Sequence, residues 1–439
     1  MKLEELRGRR IGLLGLGREG AVTLDVLLKR VPDCQVEVLV EGELVDAPVP
    51  VRAGRFDEHL LDFDLLIRSP GVPVLHPALE GFRRRGRPII NPTSIWMAER
   101  PDVKIIAVTG SKGKSTTSAM LAHVLREAGQ APLLAGNIGI PVLGHLDTKA
   151  TLAVLELSSY QLSDLSGRLH IGLFTRLFPE HGDWHGGVDH YYASKLRMIG
   201  LLRGGPLLIN ARDPILLKAT AQADHRMLCN TPPFAHREAG RLLRSDRVLL
   251  NSQDWSLLGN HNLDNAALVI EAAALCGVDV DQAADALRSF QPLMHRLEVV
   301  KTDDGQRRWI NDSIATTPHA TLAALQAIGN ESAVLIAGGY RRPADWSVVL
   351  EHCRQKPLRG LVVLPDSGPE IARYFSELDG ACGLPVVAAE GMTEAVAAAA
   401  QLAQAGDVVL FSPGAASFPH FAHFEERGSA FKSALAKLK

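Results

Sequence analysis

Cysteine is scarce in this 439-residue chain, and so are aromatic side chains, any excess of one charge and any long apolar run. The five cysteines (Cys34, Cys229, Cys276, Cys353 and Cys382) form no C-x-x-C pair and have no histidines at zinc-binding spacing. That excludes a disulfide scaffold and a zinc module, and predicts reduced, mostly buried thiols in a cytoplasmic protein. The formal charge is −2 at pH 7 with both signs interspersed, which leaves no basic footprint for nucleic acid and no polybasic stretch for a membrane surface. No apolar run reaches bilayer-spanning length. The opening "MKLEELRGRR" carries two glutamates and lacks the apolar stretch of a secretory leader. An anionic ligand must therefore be met by local groups.

What is present suffices for more than one core. With 46% hydrophobic residues and this length, two or three domains are expected. Short β-branched or leucine-rich runs recur, among them "RIGLLGLG", "VEVLV", "KIIAVTG", "LAVLELSS", "SAVLIAGG" and "DVVLFSPG". Many lead into a Gly, Ser or Pro turn and then a helix-like segment, the pattern of parallel α/β sheets with right-handed crossovers. Proline-bearing seams at 83–94 and 289–296 place domain breaks near 96 and 292. The Ala-rich run at 394–406 predicts a helix closed by Gly406.

Two glycine turns offer nucleotide sites. Gly15, Gly17 and Gly20 fit G-x-G-x-x-G between a strand and an amphipathic helix, and Glu41 follows the next strand. Alone, this reads equally as a dinucleotide turn or as a tight turn that needs small residues. The second turn, "VTGSKGKSTT" at 108–117, is more specific. Val108 stands where the general phosphate-loop pattern has glycine, leaving the shorter G-x-x-G-K-[ST] form. A buried strand precedes it, and a helix closing on Gly129 follows, so backbone N–H groups and the helix dipole converge on a phosphate. Lys114 would reach the β- and γ-phosphates of ATP, and Ser115 would offer a hydroxyl to Mg²⁺.

A metal-bound nucleotide also needs acidic or imidazole groups at neighbouring strand ends. Glu156 follows one apolar strand, and Glu180, His181, Asp183 and His185 follow another. His181 is favoured by its place at a strand end, whereas His185 and His190 read as surface or satisfied core histidines. Tyr191 and Lys195 fall one helical turn apart. Spacing alone makes Lys195 an ordinary solvated lysine.

Together these motifs resemble the Mur ligase family, ATP-dependent amide-forming enzymes of peptidoglycan synthesis, and within it the glutamate-adding members. The resemblance covers nearly the whole chain, resting also on "GNIGIP" at 136–141, "ELSSYQL", "GNHNLDNA" at 259–266, "HRLE" at 295–298, "NDSIATT" at 311–317, "AGGYRR" and "SPGAASFPHFAHFEERGSAF" at 412–431. It implies three α/β domains: an N-terminal Rossmann-like domain (1–95) for a UDP substrate, a central P-loop ATPase-like domain (96–292), and a C-terminal Rossmann-like domain (293–439) for glutamate. On that basis Gly15, Gly17, Arg18, Glu19, Glu41, Ser69 and Gly71 hold UDP-N-acetylmuramoyl-L-alanine, with Asn137 beside its reacting carboxylate. Gly110, Ser111, Lys112, Gly113, Lys114, Ser115 and Thr116 hold the ATP phosphates, and Asn262 and Asn265 lie near the adenine. Arg296 and Asp312 match positions by which the C-terminal domain closes over ATP. Ser115, Glu156, His181 and a carbamylated Lys195 hold Mg²⁺, and Lys114, His181, Lys195 and Asn137 carry the chemistry. Thr316, Arg342, Ser417 and Phe424 line the pocket for glutamate.

Two departures bear on specificity. Ile314 replaces a lysine of the usual D-glutamate enzyme, and Arg342 stands where that enzyme has another lysine, adding a bidentate fork. With "GREG", "FPEHGDWH" and "TTPHATLAAL", they resemble the branch that adds L-glutamate, and a D-glutamate ligase is the alternative. Three rivals stand further off. A folylpolyglutamate-type ligase would not share the C-terminal string, a nicotinamide oxidoreductase rests on the first turn alone, and a non-catalytic nucleotide module should have lost Lys114, Glu156, His181 or Lys195. A monomer with no nucleic-acid or membrane partner is expected.

Overall fold

Runs such as Ile105, Ile106, Ala107 and Val108 are buried on both faces, so they form inner strands of sheets covered on both sides by helices. The computed structural model describes residues 1–180, 182–303, 306–342, 344–377 and 384–438. Contacts divide the chain into two units, Met1–Asp254 with Leu263–Phe290, and Trp255–Asn262 with Gln291–Lys439.

The first unit carries two parallel sheets. The strands β1 (Arg10–Leu14), β2 (Gln35–Val40), β3 (Val51–Ala53), β4 (Leu65–Arg68) and β5 (Ile89–Ile90) take the order β3-β2-β1-β4-β5. The second sheet uses β6 (Lys104–Thr109), β7 (Leu133–Gly136), β8 (Leu152–Glu156), β9 (Ile171–Phe174), β10 (Leu207–Asn210) and β11 (Arg226–Cys229), ordered β11-β10-β9-β6-β8-β7. Where the winding direction reverses, the loops at the strands' carboxyl ends part and leave a crevice. In the first sheet the reversal puts the turn after β1, Gly15–Gly20, beside the loop after β4, Ser69–Pro73. In the second it puts the turn after β6, Gly110–Gly113, between the ends of β8 and β9. Both glycine turns thus sit at topological switch points. An antiparallel meander of β12 (Ala235–Glu238), β13 (Arg241–Arg244) and β14 (Arg247–Asn251) completes the unit. The sequence pattern did not announce it, because these strands are four or five residues long and arginine-rich.

The second unit holds β15 (Glu298–Thr302), β16 (Arg308–Asn311), β17 (Ala333–Gly339), β18 (Gly360–Asp366), β19 (Val386–Ala388) and β20 (Val408–Phe411), ordered β15-β16-β20-β17-β18-β19 with β15 alone antiparallel. Two sequence expectations need correction. The Ala-rich helix runs Met392–Leu402 and stops at Ala403, so Gly406, at φ +81°, closes the following turn and not the helix. Of the four described cysteines, Cys229 alone is fully buried, while Cys34, Cys276 and Cys353 are half-buried; all four are free. Cys382 and His181 lie outside the described residues.

Candidate active site

The phosphate loop is shaped by contacts from three directions. Gly110 has φ +147°, and a Cβ there would stand 2.0 Å from Thr175 Oγ1, so no other residue fits. Thr175 Oγ1 donates to the Lys112 carbonyl at 2.6 Å, and the Ser111 N–H donates to the Arg176 carbonyl at 2.6 Å. Gly113, at φ +90°, starts the helix Lys114–Glu127, and a Cβ on it would meet Asn265 Oδ1 at 2.9 Å. Lys114 Nζ folds back onto the carbonyls of Gly110 and Ser111 at 3.1 Å each. Lys112 reaches out to Glu180 at 2.8 Å, which ties the loop to the segment after β9. Ser115 is buried on the first turn of the helix.

Across the loop lies a group of buried polar residues. Glu156, at the end of β8, is 1% exposed. Its Oε1 accepts from Asn137 Nδ2 at 2.9 Å, and its Oε2 is buried with no hydrogen-bond partner among the described residues. A carboxylate oxygen placed so is costly unless a cation meets it. The turn Gly136–Ile140 is held against β8 by the Asn137 N–H, which donates to the Glu156 carbonyl at 2.9 Å.

Lys195 is also 1% exposed, contrary to the solvated lysine that spacing alone gave. It projects from the helix Val188–Leu202, and its Nζ donates to the Gly110 carbonyl at 2.8 Å and lies 4.9 Å from the centre of the Tyr191 ring. Burial, and then the nearby Lys114, push its amine well below the usual lysine range, while Glu180 and Glu156 oppose the shift. Tyr191, fully buried one turn earlier, bonds its hydroxyl to Ser111 Oγ at 2.8 Å. Among the described residues no group of three or more His, Cys, Asp or Glu side chains could hold a metal. Glu156 and Ser115 offer oxygen donors of the kind Mg²⁺ takes, whereas a lysine ammonium would repel a cation.

Around the first turn, Gly15 is at φ +82° and Ser69 Oγ donates to its carbonyl at 2.8 Å. A Cβ on Gly20 would stand 2.2 Å from that carbonyl, so the third glycine is a packing requirement. Glu41 takes its place after β2, 3.3 Å from His76. The Gly71 carbonyl accepts from Trp184 Nε1 at 3.0 Å, and the Trp184 ring packs against Tyr160 with centroids 4.3 Å apart and planes tilted by 33°. Sequence reasoning missed Trp184 and the fully buried Arg68, which grips Asp164 through Nε at 2.6 Å and Nη2 at 2.8 Å. Of the two readings the sequence left open for His185, surface or satisfied core, the structure shows the core one, with the ring 2.9 Å from Ser159 Oγ and 3.3 Å from Ser194 Oγ. Asp264, beside Asn265, collects Arg176 at 3.1 Å and Arg237 at 3.0 Å, a cluster that no local motif signals.

In the second unit the loops after β16, β17 and β20 carry Thr316, Arg342 and Ser417. The Tyr340 N–H donates to the Ala416 carbonyl at 3.0 Å, joining two of these loops, and Arg342 lies over the Tyr340 ring at 5.5 Å. Phe424 begins the helix Phe424–Ala436, and its carbonyl accepts from Ser313 Oγ at 2.8 Å. Asp312 accepts from the Leu297 N–H at 3.2 Å and Ser412 Oγ at 2.9 Å; Arg296 is half-buried just before that N–H. Asn262 caps its own turn by donating to the Leu258 carbonyl at 2.7 Å. Arg427, unnoticed in the sequence, is 1% exposed and donates to the carbonyls of Ser313 at 2.7 Å and Ala415 at 2.9 Å. Burial pushes its guanidinium down to about 10.

A phosphate loop between parallel strands, preceded by one Rossmann-like sheet and followed by another, is the architecture of an ATP-dependent ligase of the Mur class. Residues 108–273 match the Mur ligase middle domain and residues 295–415 the Mur ligase glutamate ligase domain. The chain belongs to the Mur ligase family. It is 34% identical over 449 residues to the UDP-N-acetylmuramoyl-L-alanine--L-glutamate ligase of Xanthomonas axonopodis pv. citri, covering 98% of this chain and 96% of that one. It is 36% identical over 459 residues to the protein of the same name from Salinispora tropica, covering 99% of each. Among solved structures, the UDP-N-acetylmuramate-alanine ligase of Thermotoga maritima shares the fold, with a TM-score of 0.63 at 19% identity over 98% of this chain and 100% of that one.

Proposed function

We propose that this chain joins L-glutamate to UDP-N-acetylmuramoyl-L-alanine, with hydrolysis of ATP to ADP and phosphate, in peptidoglycan precursor synthesis. Residues 1–95 bind the UDP substrate, residues 96–292 bind ATP and residues 293–439 bind glutamate, and the protein works as a cytoplasmic monomer. The observation that carries this reading is the buried amine of Lys195, 2.8 Å from the Gly110 carbonyl of the phosphate loop. A metal-dependent phosphoryl transfer has a use for such a nitrogen once it is anionic, and a generic nucleotide-binding fold has none.

A carboxylate resists attack by an amine, so it must first be activated. An alanyl carboxylate oxygen attacks the γ-phosphorus of ATP, the bond to the β-phosphate oxygen breaks, and ADP leaves an acyl phosphate. The amine of glutamate then attacks the acyl carbon, loses a proton and expels phosphate, leaving an amide. Transfer between two anions needs charge neutralised where it develops. Lys114 turns from the carbonyls of Gly110 and Ser111 to the phosphates, and Asn137 donates to the reacting carboxylate while anchored on Glu156. Ser115, Glu156, His181 and carbamylated Lys195 would hold Mg²⁺, which would neutralise phosphate charge. Lys195 becomes such a ligand by adding its neutral amine to CO₂ and releasing one proton, a reaction favoured by the burial that holds the amine uncharged. Asn262 and Asn265 flank the adenine, and Arg296 and Asp312 serve domain closure. Thr316, Arg342, Ser417 and Phe424 receive glutamate.

The L enantiomer is favoured by the names of the full-length relatives and by Ile314 and Arg342. The test incubates the protein with UDP-N-acetylmuramoyl-L-alanine, ATP, Mg²⁺ and each glutamate enantiomer separately. An amide product with equal amounts of ADP and phosphate is expected with L-glutamate. Failure of ADP release to depend on the UDP substrate would overturn the reading.

A further inference from the structure

A closed circuit of polar contacts joins the first glycine turn to the Ser158–Gln161 turn. Glu19, on the first turn of the helix Arg18–Arg30, accepts from Gln161 Nε2 at 2.5 Å. Gln161 Oε1 accepts from the Ser158 N–H at 2.9 Å and Ser158 Oγ at 3.1 Å. The Gln161 carbonyl accepts from Asn91 Nδ2 at 3.0 Å, and the same amide donates to Asp164 Oδ1 at 2.9 Å. Asp164 pairs with Arg68, whose neighbour Ser69 bonds the Gly15 carbonyl. The circuit therefore ends on the turn where it began. Arg68, Asn91 and Gln161 are each 1% exposed or less.

Within this circuit Glu19 is the member whose charge is not matched. The Arg68 guanidinium is committed to Asp164, to the Val72 carbonyl at 2.5 Å and to the Tyr160 carbonyl at 2.9 Å. Arg18, on the same helix, points towards Gly139, where a Cβ would stand 3.2 Å from its Nη1. Burial pushes the Glu19 carboxyl up to about 7, against the Gln161 bond and the Arg68 charge and with the help of Asp164.

We propose that Glu19 is a positioning residue that holds the two turns together as an uncharged acid, so that the diphosphate end of the substrate binds best while that carboxyl keeps its proton. The proposal rests on the reading of the first turn as the site of the UDP end. Ionised, Glu19 would set an anion on the first turn of the helix that faces the diphosphate, and would draw water into the circuit. Neutral, it does neither and still accepts from Gln161. The circuit also reaches Ser158, two residues beyond Glu156, whose carbonyl holds the Asn137 N–H. Placement of the UDP end is thereby passed to the side of the site where the alanyl carboxylate reacts.

The test is calorimetric binding of UDP-N-acetylmuramoyl-L-alanine between about pH 6 and about pH 8.5 to the full-length wild type, Glu19→Gln and Glu19→Ala. Wild-type affinity should fall roughly tenfold across that interval, the effect of about one unit of coupling between two charges. Glu19→Gln should stay level at the wild type's low-pH affinity, and Glu19→Ala should bind more weakly at every pH. Parallel wild-type and Glu19→Gln profiles, or wild-type affinity in Glu19→Ala, would overturn the role of Glu19 while leaving the proposed substrate intact. A folded wild type that bound none of the UDP substrate at any pH would overturn both.

Discussion

Lys195 Nζ lies 2.8 Å from the Gly110 carbonyl oxygen, so a lysine 85 residues downstream closes one side of the phosphate loop. The contact puts two lysines, Lys114 and Lys195, on the same carbonyl. Two ammonium groups so placed repel, and burial adds to the cost of the more enclosed one. Burial first, and then the charge of Lys114, hold the Lys195 amine well below the usual lysine range.

Replacing Lys114 with alanine is expected to lower kcat by about a hundred- to a thousandfold, the usual effect of removing one stabiliser of developing charge. The fold should survive, because the ammonium donates to two carbonyls of the loop itself. Phosphate release and a thermal melt, measured on the same preparation, check both halves.

At position 195 an anion should serve better than a cation. Lys195→Ala is expected to lose most activity, and Lys195→Glu to retain more than Lys195→Arg. Steady-state turnover of the three variants decides it: a better arginine variant would replace the carbamate by a phosphate-binding cation.

Glu19 should leave a mark on stability as well as on binding. Its carboxyl titrates near 7 in the fold against 4.5 for the free side chain, so the folded state holds the proton longer than the unfolded one. Stability then falls as pH rises from about 4.5 to about 7 and levels off above, a loss of up to about 3 kcal/mol. Glu19→Gln removes that dependence. Denaturant midpoints of the two proteins should diverge across this window, with the variant the more stable at high pH; a constant gap would refute the assignment.

Arg427 bridges the loops after β16 and β20 through the carbonyls of Ser313 and Ala415. Arg427→Met should cost about 1–3 kcal/mol, because those buried acceptors are left unpaired. The same loops carry Thr316 and Ser417, so KM for glutamate should rise more than KM for ATP. Equal changes in both would assign Arg427 to stability alone.

L-Glutamate should be preferred over D-glutamate by at least about tenfold in kcat/KM, the worth of one displaced charge-assisted bond. Competition under matched ATP and UDP-substrate concentrations measures it, and a D preference would move the protein to the other branch with its phosphoryl chemistry unchanged.

Local pattern along the chain encodes the elements and the phosphate loop. The apolar runs form the strands their pattern predicts, because a run buried on both faces has no other stable use in a parallel sheet. The phosphate loop is legible because its glycines, lysine and hydroxyls fall within ten residues, although the close approaches that demand Gly110 and Gly113 come from Thr175 and Asn265. Tyr191 and Lys195 share a helix one turn apart, as their spacing predicts, whereas the choice between surface and core for His185 came from the tertiary structure. Tertiary structure alone decided which polar groups lie in water. It buried Lys195, left Glu156 Oε2 without a hydrogen-bond partner among the described residues, and closed the circuit from Glu19 through Gln161, Asp164 and Arg68 back to Gly15. It also drew Arg427 onto Ser313, 114 residues away in sequence. Protonation and charge depend on desolvation and on neighbours brought from far along the chain, and no spacing within one segment records either.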